Sequence, residues 1–487
     1  MSPVLAISVI LLYLLFLFVI SLFTSKNSSS DTFFTANRRS PWYLVAYGMI
    51  GVSLSGITFI SVPGEVGHSQ FSYLQLVIGY IIGIWITATV LLPLYYRYRF
   101  VSIYEFMRER FGFWSYKTSA AFFIIAQTTM AAFRLYLMAA VLQLAFFDAY
   151  GIPFEITVLV TVLLIWLYTY RSGIKTVVIT DTLQTTFLLA SVVLSIIIIG
   201  RALGLSLPGI VTAIRENPDS KVFFWQWSHE RNFFKLVFTG IFLTIVTNGL
   251  DHSVMQKHLT CPSLRESQKN MFWYSTLLFL ANVLILCLGL LLYMFARAKG
   301  ITLPAKSDDL YPMLALHHLS TFTGVVFLLG IAAAAYSSAD SALTALTTSF
   351  CVDFLDFAKK GDQTSRRTRI LVHLGMSMLL YLVIVIFRVL NDESVINSFI
   401  RVSGYTYGPL LGLFAFGMFT KRKVIDRLVP LLCLLSPSIS LLLYFKSESW
   451  LWGYKFGFEI LIVNGLLTFI GLLSISGKKA QNRQKNH

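Results

Sequence analysis

The sequence predicts an all-α membrane protein of about thirteen transmembrane helices, with its N-terminus outside and its C-terminus in the cytoplasm. Three observations carry that expectation. Apolar runs near the roughly 20 residues that span a bilayer recur along all 487 residues. Lys and Arg concentrate in alternate connections between those runs, as they do on the cytoplasmic side of membranes. Two runs, five apart in order, are interrupted by Gly, Asn or Pro at matching places. With 56% hydrophobic residues and a mean hydropathy of +0.71, an ordinary soluble domain is excluded.

The first run, Pro3 to Phe23, has no basic residue ahead of it and Lys26, Arg38 and Arg39 behind it. A cleaved signal peptide has the reverse order, so a retained extra helix is expected. The remaining runs are 42–64, 72–94, 117–147, 153–170, 176–200, 235–255, 271–296, 321–356, 369–388, 395–419, 428–445 and 457–475. Connections assigned to the cytoplasm, with the tail from 476, hold 26 Lys and Arg against 11 outside, five of the latter in the long 201–235 connection. Arg134 and Arg401 fall inside runs, Arg401 near enough to an end to snorkel outward. The net charge of +16 is therefore a topology signal, not a nucleic-acid one. One integral domain is expected: an extra helix at 3–23, halves at 42–200 and 235–419, two further helices within 428–475, and a basic tail at 476–487. Its expected setting is the lipid bilayer of the inner membrane, with a monomer as the functional unit.

Run 42–64 carries Gly48, Gly51, Gly56, Pro63 and Gly64, and run 235–255 carries Gly240 and the Asn248–Gly249 pair. Such residues permit unwound backbone, which frees carbonyls and amides at mid-membrane. Each run opens one half. Matching breaks in two halves point to an inverted-repeat transporter with its site where the repeats meet. A third stretch, Ala332 to Asp353, carries Ser337, Ser338, Asp340, Ser341, Thr344 and Thr348 inside an apolar run. On a helix Ala334, Ser337, Ser338 and Ser341 form one oxygen-bearing stripe. Hydroxyls alone also suit close helix packing. A carboxylate does not, since at membrane depth it costs ~2.5–3.5 kcal/mol unless compensated.

Arg134 lies mid-run with no acidic neighbour in its own run. A guanidinium offers a planar fork of donors that fits a carboxylate two bonds at a time, which suggests an anionic substrate. The other reading is a structural pair with Asp181, Asp340 or a carbonyl. The four cysteines have no paired spacing for a disulfide framework or metal site. No G-x-S-x-G or H-E-x-x-H is present, so an enzyme is not expected. The short tail leaves no room for a signalling domain.

Six stretches in order, TANRRSPWYLVAYGMIGVSLSG, SIYEFMRERFG, GIKTVVITDTLQ, DHSVMQKHL, SSADSALTALTTSFCVD and GYTYGPLLGLF, resemble the sodium:solute symporter family. The resemblance implies the LeuT-type fold of two inverted five-helix repeats. It implies a first sodium site from Gly51, Leu54, Ala334, Ser337 and Ser338, three carbonyls and two hydroxyls. It implies a second from Asp181, Ser337, Asp340 and Ser341, with Asp340 departing from the hydroxyl expected at its position. That departure leaves open a tighter sodium, a proton or another cation, or for Asp340 a buried ion pair. Asp181 is alternatively a carboxylate bonded to nearby hydroxyls. Likeness to the sialic acid branch puts Arg134 on the substrate carboxylate, with Ser53, Ser55, Thr58, Phe71, Gln75 and, more loosely, Phe242 around it. The expected function is sodium-driven import of a carboxylate-bearing solute. A neutral sugar with Arg134 structural is the alternative. An anionic substrate favours two cations per cycle, the second restoring about 2.3 kcal/mol per 100 mV.

Overall fold

In the computed structural model helix forms within each of the thirteen apolar runs, and the residues described are 1–24, 40–98, 104–169, 174–227, 229–355, 362–391, 393–450, 454 and 456–477. Among the described residues eight helices are long and apolar enough to cross a membrane, or nine counting one bent pair. Three shorter apolar helices lie at Phe154–Trp166, Phe233–Gly249 and Ile460–Ser474.

Helix α1, Pro3–Thr24, buries one stripe, Ala6, Ile10, Tyr13 and Leu17, and exposes Leu12 and Leu15. That three-and-four spacing is a single helical face. Helices α2, Trp42–Ser53, and α3, Gly56–Ser69, meet at a 57° bend. Leu54 (φ −82°, ψ 68°) and Ser55 (φ −70°, ψ 176°) leave the helix between them. The helix does not stop near Pro63 and Gly64, as the sequence suggested; it runs on to Ser69. Gly64 serves close approach there, since a Cβ on it would lie 2.1 Å from the Ser307 carbonyl oxygen.

Helix α4, Tyr73–Ile86, continues helically to Tyr98 and packs on α8, Phe233–Thr244. A Cβ on Gly79 would lie 2.2 Å from the Val237 carbonyl, and one on Gly240 2.2 Å from the Leu76 carbonyl. The two backbones therefore touch directly, as small residues permit between membrane helices. Helices α5 (Phe113–Leu142), α6 (Phe154–Thr169) and α7 (Ile174–Ala202) follow. Asp426, far along the chain, accepts the first amides of α5 at Trp114 and Ser115, both at 2.8 Å.

The second break follows α8, where helical turns end at Gly249 and α9, His252–His258, starts afresh. Asp251 caps α9, accepting from the amides of Ser253 (2.8 Å) and Val254 (3.4 Å). Helix α10, Leu264–Ala298, starts earlier than the apolar run because Ser263 accepts the Glu266 amide in an S-x-x-E cap. Helices α11 (Thr321–Ser349), α12 (Asp362–Leu390), α13 (Val395–Phe419), α14 (Val429–Trp450) and α15 (Ile460–Ser474) follow. The 201–235 connection holds a helix the sequence reading did not foresee, Leu207–Glu216, capped by Ser206 with Pro208 in its first turn.

Candidate functional site

The two breaks border one cavity of about 950 Å³, counting its part open to solvent. Ser53, Leu54, Ser55 and Thr58 line it from the first break, and Thr247, Asn248, Asp251 and Ser253 from the second. Helix α11 contributes Ser338, Ser341 and Ala342, and α5 contributes Gln127 and Arg134. Near the end of α3, Glu65 ties four elements together. Its Oε1 accepts from Arg231 at 3.0 Å and Asn397 at 3.2 Å, and its Oε2 from Ser307 at 3.2 Å.

Of the residues implied for a first sodium site, Leu54 and Ser338 line the cavity. The Ser338 hydroxyl donates to the Ala334 and Ala335 carbonyls at 3.1 Å. Gly51 donates its amide to Thr185 Oγ1 at 3.0 Å, and a Cβ on it would lie 2.3 Å from that oxygen. Only glycine seats α2 so closely on α7. Ser337 points elsewhere, donating to Asp181 Oδ1 at 2.7 Å.

Asp181, Ser337 and Ser341, implied for a second site, are indeed neighbours, but Lys257 joins them. Its ammonium donates to Asp181 Oδ2 and to Ser341 Oγ, each at 2.7 Å. Asp181 is 1% exposed and Lys257 2%. The Asp340 side chain lies outside the described residues. The charge count above assigned Lys257 to the 256–270 connection; the structure corrects this, because α9 continues through Lys257 and turns it inward. Lys235, counted in the 201–235 connection, is also buried, 3.7 Å from Glu459 and stacked 4.1 Å from the Tyr454 ring.

Arg134 forms no ion pair among the described residues, and its Nε is buried without a hydrogen-bond partner. Its guanidinium carbon is 5.6 Å from the centre of the Phe399 ring, another cavity residue. Ser53 shares a hydrogen bond with the Tyr274 hydroxyl. Phe71, Gln75 and Phe242 are not among the lining residues. Gln75 instead straps the 221–232 segment to α4, donating to the Arg231 carbonyl at 3.1 Å and accepting the Phe224 amide at 3.3 Å. Phe71 donates its amide to the Lys221 carbonyl at 3.0 Å, and Phe242 is half-buried on α8. Arg401 pairs with Glu393 at 2.7 Å, about a third exposed.

Sequence reasoning passed over Asp251, Gln127, Tyr274 and Tyr407 and used Asn248 only as a helix breaker; all five are in the cavity wall. For Asp251 a signal existed: a carboxylate just after an Asn-Gly pair and ahead of a helical stretch is a capping pattern. Nothing local marks the tyrosines.

The sequence model of the sodium:solute symporter family matches residues 33–425. The chain is 24% identical over 414 residues to the sodium/sialic acid symporter SiaT of Proteus mirabilis, covering 82% of this chain and 81% of that protein. The sodium/sialic acid symporter NanT of Aliivibrio fischeri is 24% identical over 413 residues, covering 82% and 80%. A solved sodium-coupled sialic acid symporter, in a substrate-bound outward-open state, matches the fold with a TM-score of 0.79 at 20% identity, over 96% of each chain.

Proposed function

The chain belongs to the sodium:solute symporter family, and from that premise we propose that it imports a carboxylate-bearing solute, sialic acid first among the candidates, by alternating access. Sodium is the co-transported ion. Members of this family move solutes across a membrane without making or breaking their bonds. The reading extends to thirteen crossings in a LeuT-type arrangement, with inverted halves at 42–200 and 235–419 and the N-terminus outside. A bacterial inner membrane is the expected location. On that orientation the Glu65 cluster lies at the outer end.

One observation carries the substrate assignment: the Arg134 guanidinium borders the cavity with a buried, unpartnered Nε and no salt bridge among the described residues, while the carboxylate in the same wall, Asp251, is engaged by the amide and hydroxyl of Ser253. A buried charge without a partner is costly, and a substrate carboxylate is the partner its planar fork fits. Ser53, Ser55, Thr58, Asn248 and Gln127 offer the remaining wall hydrogen bonds for hydroxyls or amides. Phe399 and Tyr407 supply apolar faces. For sodium, Ser338 and the backbone of the first break offer neutral oxygens, a set that suits a weakly held monovalent ion. Two of the residues carried over by resemblance, Phe71 and Gln75, lend no support here, since their contacts are with the 221–232 segment.

The test is uptake into proteoliposomes under a sodium gradient, with N-acetylneuraminate, other organic acids and neutral sugars compared. Sodium-dependent uptake of an acid, lost in Arg134→Ala while sodium still stabilises the protein against heat, is the expected result. Uptake of a neutral sugar that survives Arg134→Ala would replace it with the sugar reading.

A further inference from the structure

We propose that the Asp181–Ser337–Ser341 position holds its own cation, the Lys257 ammonium, so that the transporter couples one sodium ion, not two, to each substrate molecule. This rests on the sodium-coupled reading above and adds its ion count.

Both carboxylate oxygens of Asp181 are engaged, Oδ1 by the Ser337 hydroxyl and Oδ2 by the ammonium, each at 2.7 Å. The ammonium also takes Ser341 Oγ at 2.7 Å. Asp181, Ser337 and Ser341 are three of the four residues implied for a second sodium; the fourth, Asp340, has its side chain outside the described residues. An ammonium has three donors and no acceptor, so it fills the position with the right charge and repels any further cation brought beside it. With Lys257 2% exposed and Asp181 1%, little solvent screens that repulsion.

Nor can this cation leave with the substrate. Lys257 stands near the end of α9, which is pinned to its surroundings. Its carbonyl accepts from Thr260 Oγ1 at 2.7 Å, and the next carbonyl, of His258, accepts from Ser267 on α10 at 2.7 Å. The His258 ring nitrogen Nδ1 lies 2.8 Å from Asn270 Nδ2. The charge is thus a fixed part of the scaffold joining α7, α9 and α11. One sodium moving with one carboxylate then carries no net charge, and the membrane potential does not drive the cycle.

The decisive measurement is the ratio of initial fluxes of radiolabelled sodium and radiolabelled N-acetylneuraminate, or another acid the wild type imports, in proteoliposomes. The wild type is expected to give one sodium per solute, with first-order dependence on sodium. Lys257→Met keeps the bulk and removes the charge; Asp181 then recruits a second sodium, the ratio rises to two and transport becomes electrogenic. The double variant Asp181→Asn with Lys257→Met, having no carboxylate to compensate, returns to one. A wild-type ratio of two overturns the proposal, as does an unchanged ratio in an actively transporting Lys257→Met protein. If Lys257→Met does not fold, the wild-type ratio decides alone. A wild type whose uptake ignores sodium would instead remove the proposed function, and this inference with it.

Discussion

Arg134 on α5 and Lys257 on α9 are both cations sunk among apolar helices, yet their surroundings are opposite. Lys257 has a carboxylate and a hydroxyl at 2.7 Å and is 2% exposed. Arg134 borders the cavity with its Nε buried and unsatisfied. The difference separates scaffold from site. A buried charge in a salt bridge within the chain is part of the architecture; one at a cavity wall without a salt bridge is, on the proposed function, open to a ligand.

Substitution at both positions tests that contrast most strongly through stability. In sodium-free buffer Lys257→Met leaves Asp181 buried and uncompensated, and should cost about 3–5 kcal/mol. Adding Asp181→Asn should recover most of the loss, as thermal melts in detergent would reveal. Arg134→Met should do the reverse, leaving the melting temperature of the substrate-free protein unchanged or higher. A matching drop at both positions would erase the distinction between them.

Next in size is the effect on transport. Arg134→Ala removes a charge-assisted contact worth about 2–5 kcal/mol, so uptake of the acid should fall by roughly 30-fold to over 1,000-fold. The sodium-induced shift in melting should persist. Full uptake by this variant would make Arg134 as structural as Lys257.

The two adjacent serines sharpen the comparison further. Ser337→Ala removes a hydrogen bond to the Asp181 carboxylate and should cost about 1.5–3 kcal/mol of stability. Ser338→Ala removes only a bond back to its own helix, so its loss should appear in sodium-dependent stabilisation and not in the sodium-free melt. Equal behaviour of the two would deny that one belongs to the ion pair and the other to the cavity.

A smaller effect concerns an anion without a cation. Outside the membrane-spanning helices, burial pushes the Asp308 carboxyl up to about 6 from 3.8. Its Oδ2 accepts the Val395 amide at 2.8 Å, while Oδ1 has no hydrogen-bond partner. The folded state therefore holds this proton more tightly than the unfolded chain. Its contribution to stability is full below pH ~4 and is lost as the pH rises through ~6. Asp308→Asn should flatten the melting profile across that window, and an unaltered slope would remove Asp308 as its source.

The helices were legible because lipid demands long apolar runs with internally satisfied backbones. The break at Leu54–Ser55 was legible from Gly51 and Gly56, and the second from Asn248–Gly249. Pro63 and Gly64 misled, because glycine marks close approach as readily as unwinding. Lys257 was hidden for another reason. A lysine at the end of an apolar run reads as a loop residue, and its partner Asp181 is 76 positions away. Gln75 was equally obscured, its fixing contact at Phe224 lying 149 residues on. What a sequence withholds here is the choice of distant partner, and that choice decides whether a polar group is framework or binding surface.

The glycine contact between α4 and α8 bears on how such a machine can move. With Gly79 and Gly240 laying main chain on main chain, there is no compressible layer of side chains in which the pair could slide. They form a single stiff beam. Under the alternating access proposed above, motion is absorbed at the unwound joints, Leu54–Ser55 and Leu250–Asp251, and a covalent tether between α4 and α8 should leave turnover untouched.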